Sequence, residues 1–478
     1  MKQTLVGGVR KILPAKSVHV LEDSYRKTRA RLVRTRYGNP AKHLRVIAVT
    51  GTNGKTTTVN FLNEILKEAG YKTAMFSTAT IEIAGQAKRN DLNATVASTA
   101  AMQRVRNIPL SRVADLLAFA QKENVGLTFV GAEALLVEGI VDVFQAAGLA
   151  IFGPNRQAAQ LEGSKRFAKD FMQKYGVKTA AYASFRELDA ALAYVQDCAY
   201  PTVVKASGLA AGKGVVICQN RAEAEAAVRA MMETRRFGDA GNEVVIEEFL
   251  EGYECSLLSF CDSRHIVPLV SARDHKTIGE GNTGENTGGM GVIAPHPRFG
   301  DAEMAAFRRN ILEPTLKGII AEGMDFAGVI FFGLMVNARG VYLLEYNMRF
   351  GDPETQAVLP LLENELLDAV QAALERRLDD GVFRWQDAHA CCVVAASAGY
   401  PGEFRTGLPI ANLERARFYA QVFIAGARQD CDEMLTSGGR VLNCVGVAPT
   451  AEAARQKAYD AIAQVQFDGI TYRRDIGL

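Results

Sequence analysis

No two of the eight cysteines form a Cys-x-x-Cys pair, and no Cys/His metal-ligand spacing appears among them and the six histidines. Zinc-ribbon, redox-pair and disulfide-framework readings are therefore set aside, and the cysteines are expected to be reduced and mostly core. No apolar run is long enough to span a bilayer, and the first residues lack the apolar centre of a signal peptide. A cytoplasmic location without a membrane partner is expected. Net charge is only +2. The whole chain thus gives no polyanion signal, and no nucleic-acid partner is expected. What remains is an ordinary globular composition, 48% hydrophobic and 23% charged over 478 residues, with room for about three domains.

The most informative stretch runs from Thr202 to Ser256. A β-branched strand ends on Lys205. A small-residue loop follows with Gly208, Gly212, Lys213 and Gly214, and a strand resumes at Val215. This is a hairpin tip rather than a strand-to-helix turn. Glycines let backbone N–H groups approach phosphate oxygens, and the two lysines add point charges. Taken alone, the loop fits an ordinary hairpin equally well. Past a helix, a strand exit carries Glu247 and Glu248, with Glu254 six residues on, acceptors suited to an adenine amino group and a ribose diol. A second stretch, from Val341, is an apolar strand ending in Glu345-Tyr346-Asn347. Residues two apart on a strand share a face, so a carboxylate and an amide oxygen stand side by side. Those are hard ligands suited to Mg²⁺ or Mn²⁺ on nucleotide phosphates. Arg349 follows, placed to meet developing phosphoryl charge.

Four motifs in order carry a resemblance. They are Glu162-Gly163-Ser164-Lys165, the loop from Gly208 to Gly214, Asn286-Thr287-Gly288-Gly289-Met290-Gly291, and Arg349-Phe350-Gly351-Asp352-Pro353-Glu354-Thr355. From about residue 102 on, the chain resembles the ATP-grasp superfamily and, more narrowly, the phosphoribosylamine–glycine ligase family. The resemblance implies an α/β chain with an ATP-grasp fold of two α+β lobes. A parallel βαβ domain would precede it, and a small α+β, β-barrel-like domain would follow. The expected division is a basic arm at 1–42, a parallel domain at 43–153, the ATP-grasp domain at 154–386 with a lid at 177–246, and a C-terminal domain at 387–478. The implied reaction joins glycine to 5-phosphoribosylamine through glycyl phosphate, with ATP and a divalent cation, in a monomer. ATP would be held by Lys165, Lys205, Gly208, Gly212, Lys213, Gly214, Glu247, Glu248, Leu250 and Glu254. Arg349, Lys213 and Asp352 would act in catalysis, and Glu345 and Asn347 would hold the metal. Substrate contacts would come from Asp274, His275, Lys276, from Asn286, Thr287, Gly288, Gly289, Met290 and Gly291, and from Gly351, Asp352, Pro353 and Glu354. A lone histidine is more often structural, so His275 is given a supporting part. Backbone amides of Gly288, Gly289 and Gly291 would cradle a carboxylate or phosphate.

The N-terminal part departs from that family. Its own opening glycine-rich loop is absent, Gly131-Ala132-Glu133-Ala134-Leu135 lacks two prolines, and Ile424 stands where the family usually has histidine. In place of that opening, a strand at 44–50 leads into Gly51-Thr52-Asn53-Gly54-Lys55-Thr56-Thr57 and a helix, then a strand at 72–77. This is the setting of a phosphate loop. The short GTNGKTT form, with Asn90-Asp91-Leu92-Asn93-Ala94-Thr95 further on, resembles the ATP loop of Mur ligases and stops before any Mur catalytic region. It marks Gly51, Gly54, Lys55 and Thr56 as a second phosphate site. The basic run from Arg26 to Arg36 reads more readily as a solvated arm than as a phosphate contact. A Mur-type peptide-ligase fragment and a nucleotide-binding fusion without turnover stand as alternatives to the purine-pathway ligase. Further helices are expected at 137–147, 160–175, 305–321 and 361–377, a strand at 416–424, and a long irregular segment at 279–291.

Overall fold

The computed structural model describes residues 110–210, 214–430 and 433–478, together with the backbone of the strands Arg45–Thr50, Lys72–Ser77 and Ile81–Glu82. The expectations at the basic arm, at Gly51, Gly54, Lys55 and Thr56, and at Gly212 and Lys213 lie outside the described residues.

The first sheet is parallel at its centre. Arg45–Thr50 pairs with Lys72–Ser77 on one side and Leu127–Val130 on the other, and Leu127–Val130 pairs with Ile151–Phe152. Ile81–Glu82 adds an antiparallel edge. Strands from before and after residues 99–102 therefore belong to one sheet. A four-stranded antiparallel sheet follows in the order Tyr182–Phe185, Val244–Glu248, Thr202–Ala206, Val215–Cys218, crossed by the helices Leu188–Asp197 and Arg221–Met232. The hairpin reading of Thr202–Cys218 is thus what the chain forms. A second antiparallel sheet orders Ile266–Pro268, Tyr253–Cys261, Gly328–Asn337 and Gly340–Asn347. The last of these is its edge. The final sheet borrows Arg273–Asp274 and Gly291–Ala294 from the middle of the chain and continues through His389–Ser397, Arg440–Ala448 and Gln421–Ile424.

Several expected helices are broken, each for a local reason. The run at 160–175 divides at Ser164, whose extended backbone lets its hydroxyl accept from the Phe167 N–H at 3.2 Å and start a new helix, Lys165–Tyr175. The run at 137–147 divides at Gly139, in the left-handed region at φ 94°. The run at 305–321 carries a π-type turn, Arg308–Leu312, before Glu313–Ala321. Pro314 has no N–H to return to the Asn310 carbonyl, which instead accepts from the Lys178 N–H at 3.0 Å. The run at 361–377 is helical only over Leu366–Leu374. Residues 416–424 split into the helix Leu413–Tyr419 and the strand Gln421–Ile424. The segment at 279–291 is more ordered than expected: Thr283–Asn286 pairs back on Thr277–Gly279, and Gly291 opens the next strand.

One core joins the three regions. Phe129 and Phe152 of the parallel sheet stack with Phe260 and Phe350, and Phe383 meets Phe260 edge-on at 5.1 Å. Ala390, Cys392 and Val445 of the last sheet belong to the same cluster. Phe260 is fully buried at its centre. Truncating it leaves a cavity that three regions would have to collapse into. Phe260→Ala is expected to lower unfolding stability by about 3–5 kcal/mol, read from the shift in denaturant midpoint.

Candidate active site

The end of the site where a triphosphate is expected is built on one buried carboxylate. Val244, Val245 and Ile246 are all buried, so the strand is covered on both faces. It delivers Glu247, 2% exposed, between two lysines. Lys205 from the adjoining strand stands 2.9 Å away, and Lys169, one helical turn past Lys165, stands at 3.1 Å. The expectation that Glu247 reaches a nucleoside is therefore corrected. Its carboxylate is spoken for by two ammonium groups and positions them. Glu248 is also turned aside, paired with Arg339 at 2.8 Å. Lys165 starts its helix with its N–H on the Ser207 carbonyl and its Nζ 3.4 Å from the Gly208 carbonyl. Burial lowers its pKa, and Glu345 opposes that. The Gly208 N–H is used on the Ala240 carbonyl, and a Cβ there would lie 2.7 Å from Ala240 Cα. The first glycine of the loop thus permits close packing and keeps no free amide for phosphate.

The orientation of Glu345 and Asn347, the expected metal ligands, depends on a register shift. Gly333 pairs with Glu345, but Leu334 pairs with Leu343, leaving Leu344 as an extra residue. Before the shift Val341 and Leu343 face the core; after it Tyr346 and Met348 do. The bulge turns Glu345 and Asn347 out of the core face that strict alternation would assign them. Glycine at 333 leaves room, since a Cβ would stand 3.3 Å from Glu345 Cγ. Burial alone would raise the Glu345 pKa, but Lys276, Lys205, Lys165 and Arg349 surround it and lower it. Among the described residues the Glu345 side chain forms no hydrogen bond or ion pair. The same residues hold no cluster of three His, Cys, Asp or Glu suited to a metal. An ionised carboxylate with open oxygens beside an amide oxygen fits a hard cation that takes its other ligands from phosphates. Arg349 is pinned, with Nη2 3.0 Å from Glu162 and 3.1 Å from Asn347 Oδ1. Glu162 also accepts from the Met348 N–H at 2.7 Å.

The third part of the cleft lies where Arg273–Asp274 joins the last sheet. Lys276 pairs with Glu254 at 2.5 Å. Burial works against its charge, yet Glu254 and Glu345 outweigh that and raise its pKa. Asp274 has a buried Oδ1 with no hydrogen-bond partner among the described residues. Burial and nearby Glu354 hold its pKa well above the usual carboxylate range. Glu354 is itself buried, accepts from the Ser256 hydroxyl at 3.1 Å and is raised by burial. His275 belongs elsewhere. Its ring is buried, Nδ1 is 3.1 Å from the Gly291 carbonyl, and burial pushes it down to about 4, so it is neutral at physiological pH. Leu250 and Met290 are buried in the core. The expected amide cradle is corrected in part: the Gly288 N–H is given to the Tyr400 hydroxyl and the Gly289 N–H to the Thr287 hydroxyl. The Asp352 carboxylate, expected to act in catalysis, is engaged within the protein: one oxygen accepts from Arg440 at 2.9 Å and the other from Gln356 at 2.6 Å, so it braces the loop.

Lys165, Lys205, Lys276, Arg349, Glu345, Asn347, Glu254, Asp274 and Glu354 thus share one cleft. Lys169, Glu162 and Arg440 are given no site role by the sequence reading, although Glu162 opens one of its motifs. Lys169 lies four residues past Lys165, on the same helical face, which was a usable signal.

Three family models match in chain order: the phosphoribosylglycinamide synthetase N domain at 74–162, its ATP-grasp (A) domain at 163–355 and its C domain at 390–478. The chain is 53% identical over 379 residues to a phosphoribosylamine–glycine ligase of Fusobacterium nucleatum, covering 79% of this chain and 89% of that one. It is 50% identical to that of Clostridium acetobutylicum, covering 79% and 91%. Among solved structures, the phosphoribosylamine–glycine ligase of Thermotoga maritima aligns with TM-score 0.74 and 29% identity, over 90% of this chain and 100% of that one. A biotin carboxylase of Campylobacter jejuni aligns with TM-score 0.64 at 16% identity, over 89% and 92%, which shows the fold alone.

Burial pushes the Lys169 ammonium down to about 8 from the free value of 10.5, against the pull of Glu247. The folded chain therefore sheds this proton before the unfolded one does. The linked stability penalty is full below about pH 8 and is relieved as pH rises toward 10.5. Around pH 8 the folded chain loses this positive charge. Affinity for a triphosphate is expected to fall roughly fivefold as pH rises through that value, the worth of about 1 kcal/mol. Titration calorimetry at several pH values should show the fall, and Lys169→Met should flatten it.

Proposed function

The chain belongs to the phosphoribosylamine–glycine ligase family, and from that premise we propose a division of work along its cleft. The reaction joins glycine to 5-phosphoribosylamine with cleavage of ATP, giving glycinamide ribonucleotide, ADP and phosphate in purine biosynthesis. An amine and a carboxylate do not condense in water, so the carboxylate must first be activated. A glycine carboxylate oxygen attacks the γ-phosphorus, the bond to ADP breaks, and glycyl phosphate results. The phosphoribosylamine nitrogen then attacks the acyl carbon, phosphate leaves and the nitrogen loses a proton.

Lys165 and Lys205, set by Glu247 and Lys169, hold the triphosphate, with Lys213 assigned to the same task by resemblance. Arg349, pinned by Glu162, stabilises charge on the phosphoryl group in transfer. A divalent cation, Mg²⁺ or Mn²⁺, held by Glu345 and Asn347 would screen the triphosphate. Asp274, Glu354 and Lys276 receive the amino-acid substrate, the buried acids suiting its ammonium group. The lid carrying Lys205 closes over the acyl phosphate and keeps water from it. The observation that carries this reading is the ring of Lys165, Lys205, Lys276 and Arg349 around Glu345. No side chain needs to act as a covalent nucleophile.

The test is ADP release by the full chain with ATP, Mg²⁺ and glycine, with and without freshly generated phosphoribosylamine. Release that needs both substrates is expected, and Lys205→Ala should reduce it by at least about a hundredfold. Release that ignores glycine would sink the assignment.

A second nucleotide site at Gly51, Gly54, Lys55 and Thr56 is a separate proposal. Its support is the strand Arg45–Thr50 running straight into the loop sequence and pairing in parallel with Lys72–Ser77, the frame a phosphate loop uses. This loop precedes the part that the N-domain family model matches. Equilibrium binding should then count two nucleotides per chain, falling to one in Lys55→Ala. A single nucleotide in both proteins would remove the Mur-like reading.

A further inference from the structure

The last sheet reaches into the substrate end of the cleft through one side chain. Arg440 opens the strand Arg440–Ala448, which pairs with His389–Ser397 and Gln421–Ile424 and packs on the helix Ala451–Ile462. Its guanidinium leaves that frame and lies among loops of the cleft. Nη1 donates to the carbonyls of Gly288 at 2.6 Å, Asp352 at 3.0 Å and Gly289 at 3.3 Å. Nη2 donates to the Asp352 carboxylate at 2.9 Å. Both side chains are nearly buried, 9% and 8% exposed.

The two segments it grips touch one another. Gly289 sits at φ +108°, and a Cβ on it would lie 2.5 Å from Pro353 Cδ and 2.7 Å from Asp274 Oδ1. A Cβ on Gly288 would lie 2.8 Å from the guanidinium itself. The turn after Asp352 leads directly to Glu354, whose carboxylate lies close enough to Gly351 that a Cβ there would meet it at 2.5 Å. Gly288–Gly289, the turn at 352–353, Asp274 and Glu354 are thus one packed unit with Arg440 as its outer clamp. Among the described residues the hydrogen bonds and ion pairs of Lys165, Lys169, Lys205, Glu247 and Arg349 go to other partners.

We propose that Arg440 is a positioning residue for the amino-acid half of the ligase reaction, holding the 288–289 and 352–353 segments together so that Asp274 and Glu354 meet the substrate. The proposal rests on the ligase reading. A planar fork with five N–H groups reaches three carbonyls and a carboxylate at once; a lysine ammonium has three donors on one atom and does not span them. Arg440 does not touch substrate, so its removal misplaces groups without deleting any that react. A small displacement of binding groups is enough to change kinetics by about tenfold or more.

The experiment is steady-state kinetics of Arg440→Ala and Arg440→Lys in the full chain, with each substrate varied in turn, alongside thermal melts. The KM for glycine is expected to rise by at least about tenfold in both variants while the KM for ATP stays within about twofold. Free guanidinium ion should restore part of the activity of the alanine variant and none of the lysine variant. An equal rise in both KM values, or a lysine variant as good as the wild type, would overturn the proposal, leaving Arg440 a stabilising residue only. Should the alanine variant not fold, Asp352→Asn removes the same ion pair, and an unchanged KM for glycine there would count against the proposal. A wild-type chain without glycine-dependent turnover would overturn the ligase reading as well, an outcome distinct from active variants that keep their KM for glycine.

Discussion

Three ammonium groups lie around two carboxylates, of which only Glu247 is directly ion-paired. Lys165, Lys169 and Lys205 come from a helix start, the next turn of that helix and the hairpin strand, and Glu247 and Glu345 from strands of two different sheets. Placing charge out of water is costly unless it is paired. The pairing here is incomplete by one charge, and the lysines show it: burial depresses both Lys165 and Lys169. On the proposed reading a polyphosphate anion supplies the missing charge. Because Lys205 and Glu247 lie on the hairpin sheet and Glu345 on the second antiparallel sheet, binding that anion would also draw the two sheets together.

The carboxylate at the centre of that balance reaches it through a defect. Regular alternation along Gly340–Asn347 would put Glu345 beside Val341 and Leu343 in the core. The extra residue at Leu344 exchanges the faces, so the strand buries Val341 and Leu343 before it and Tyr346 and Met348 after it. An edge strand tolerates this, since a bulge disturbs pairing on one side only. The apolar residues after the shift act as the anchor: Tyr346 is buried with its hydroxyl 2.7 Å from Thr315, and Met348 is held by Glu162. The functional residues are therefore exposed to the cleft because their neighbours are bound to the core.

Much of this was legible in the residues. The Thr202–Cys218 hairpin follows from β-branched runs flanking glycines, and Glu345 and Asn347 sharing a face follows from their spacing. What was not legible has two physical sources. One is symmetry of burial: Val244, Val245 and Ile246 are apolar without alternation, so no pattern says which way Glu247 points, and it was read toward a nucleoside when two lysines hold it. The other is contact between residues distant in the chain. Asp352 and the amides of Gly288 and Gly289 look free in a loop sequence, and only the fold brings Arg440, Gln356, Tyr400 and Thr287 against them. The broken helices are a milder case. Pro314 and Ser164 carried their signals, but an amphipathic period runs through both and hides the interruption.

The N-terminal sheet shows how an unfamiliar opening can be joined to this fold. Its central strand, Arg45–Thr50, pairs on both sides, with Lys72–Ser77 and with Leu127–Val130. The family-model match begins inside Lys72–Ser77. A central parallel strand asks little of its sequence beyond an apolar, β-branched run, and Arg45-Val46-Ile47-Ala48-Val49-Thr50 supplies one. Its ladder is made by backbone groups that every such run presents alike. Strand pairing therefore constrains where an αβ unit sits but hardly which family it came from.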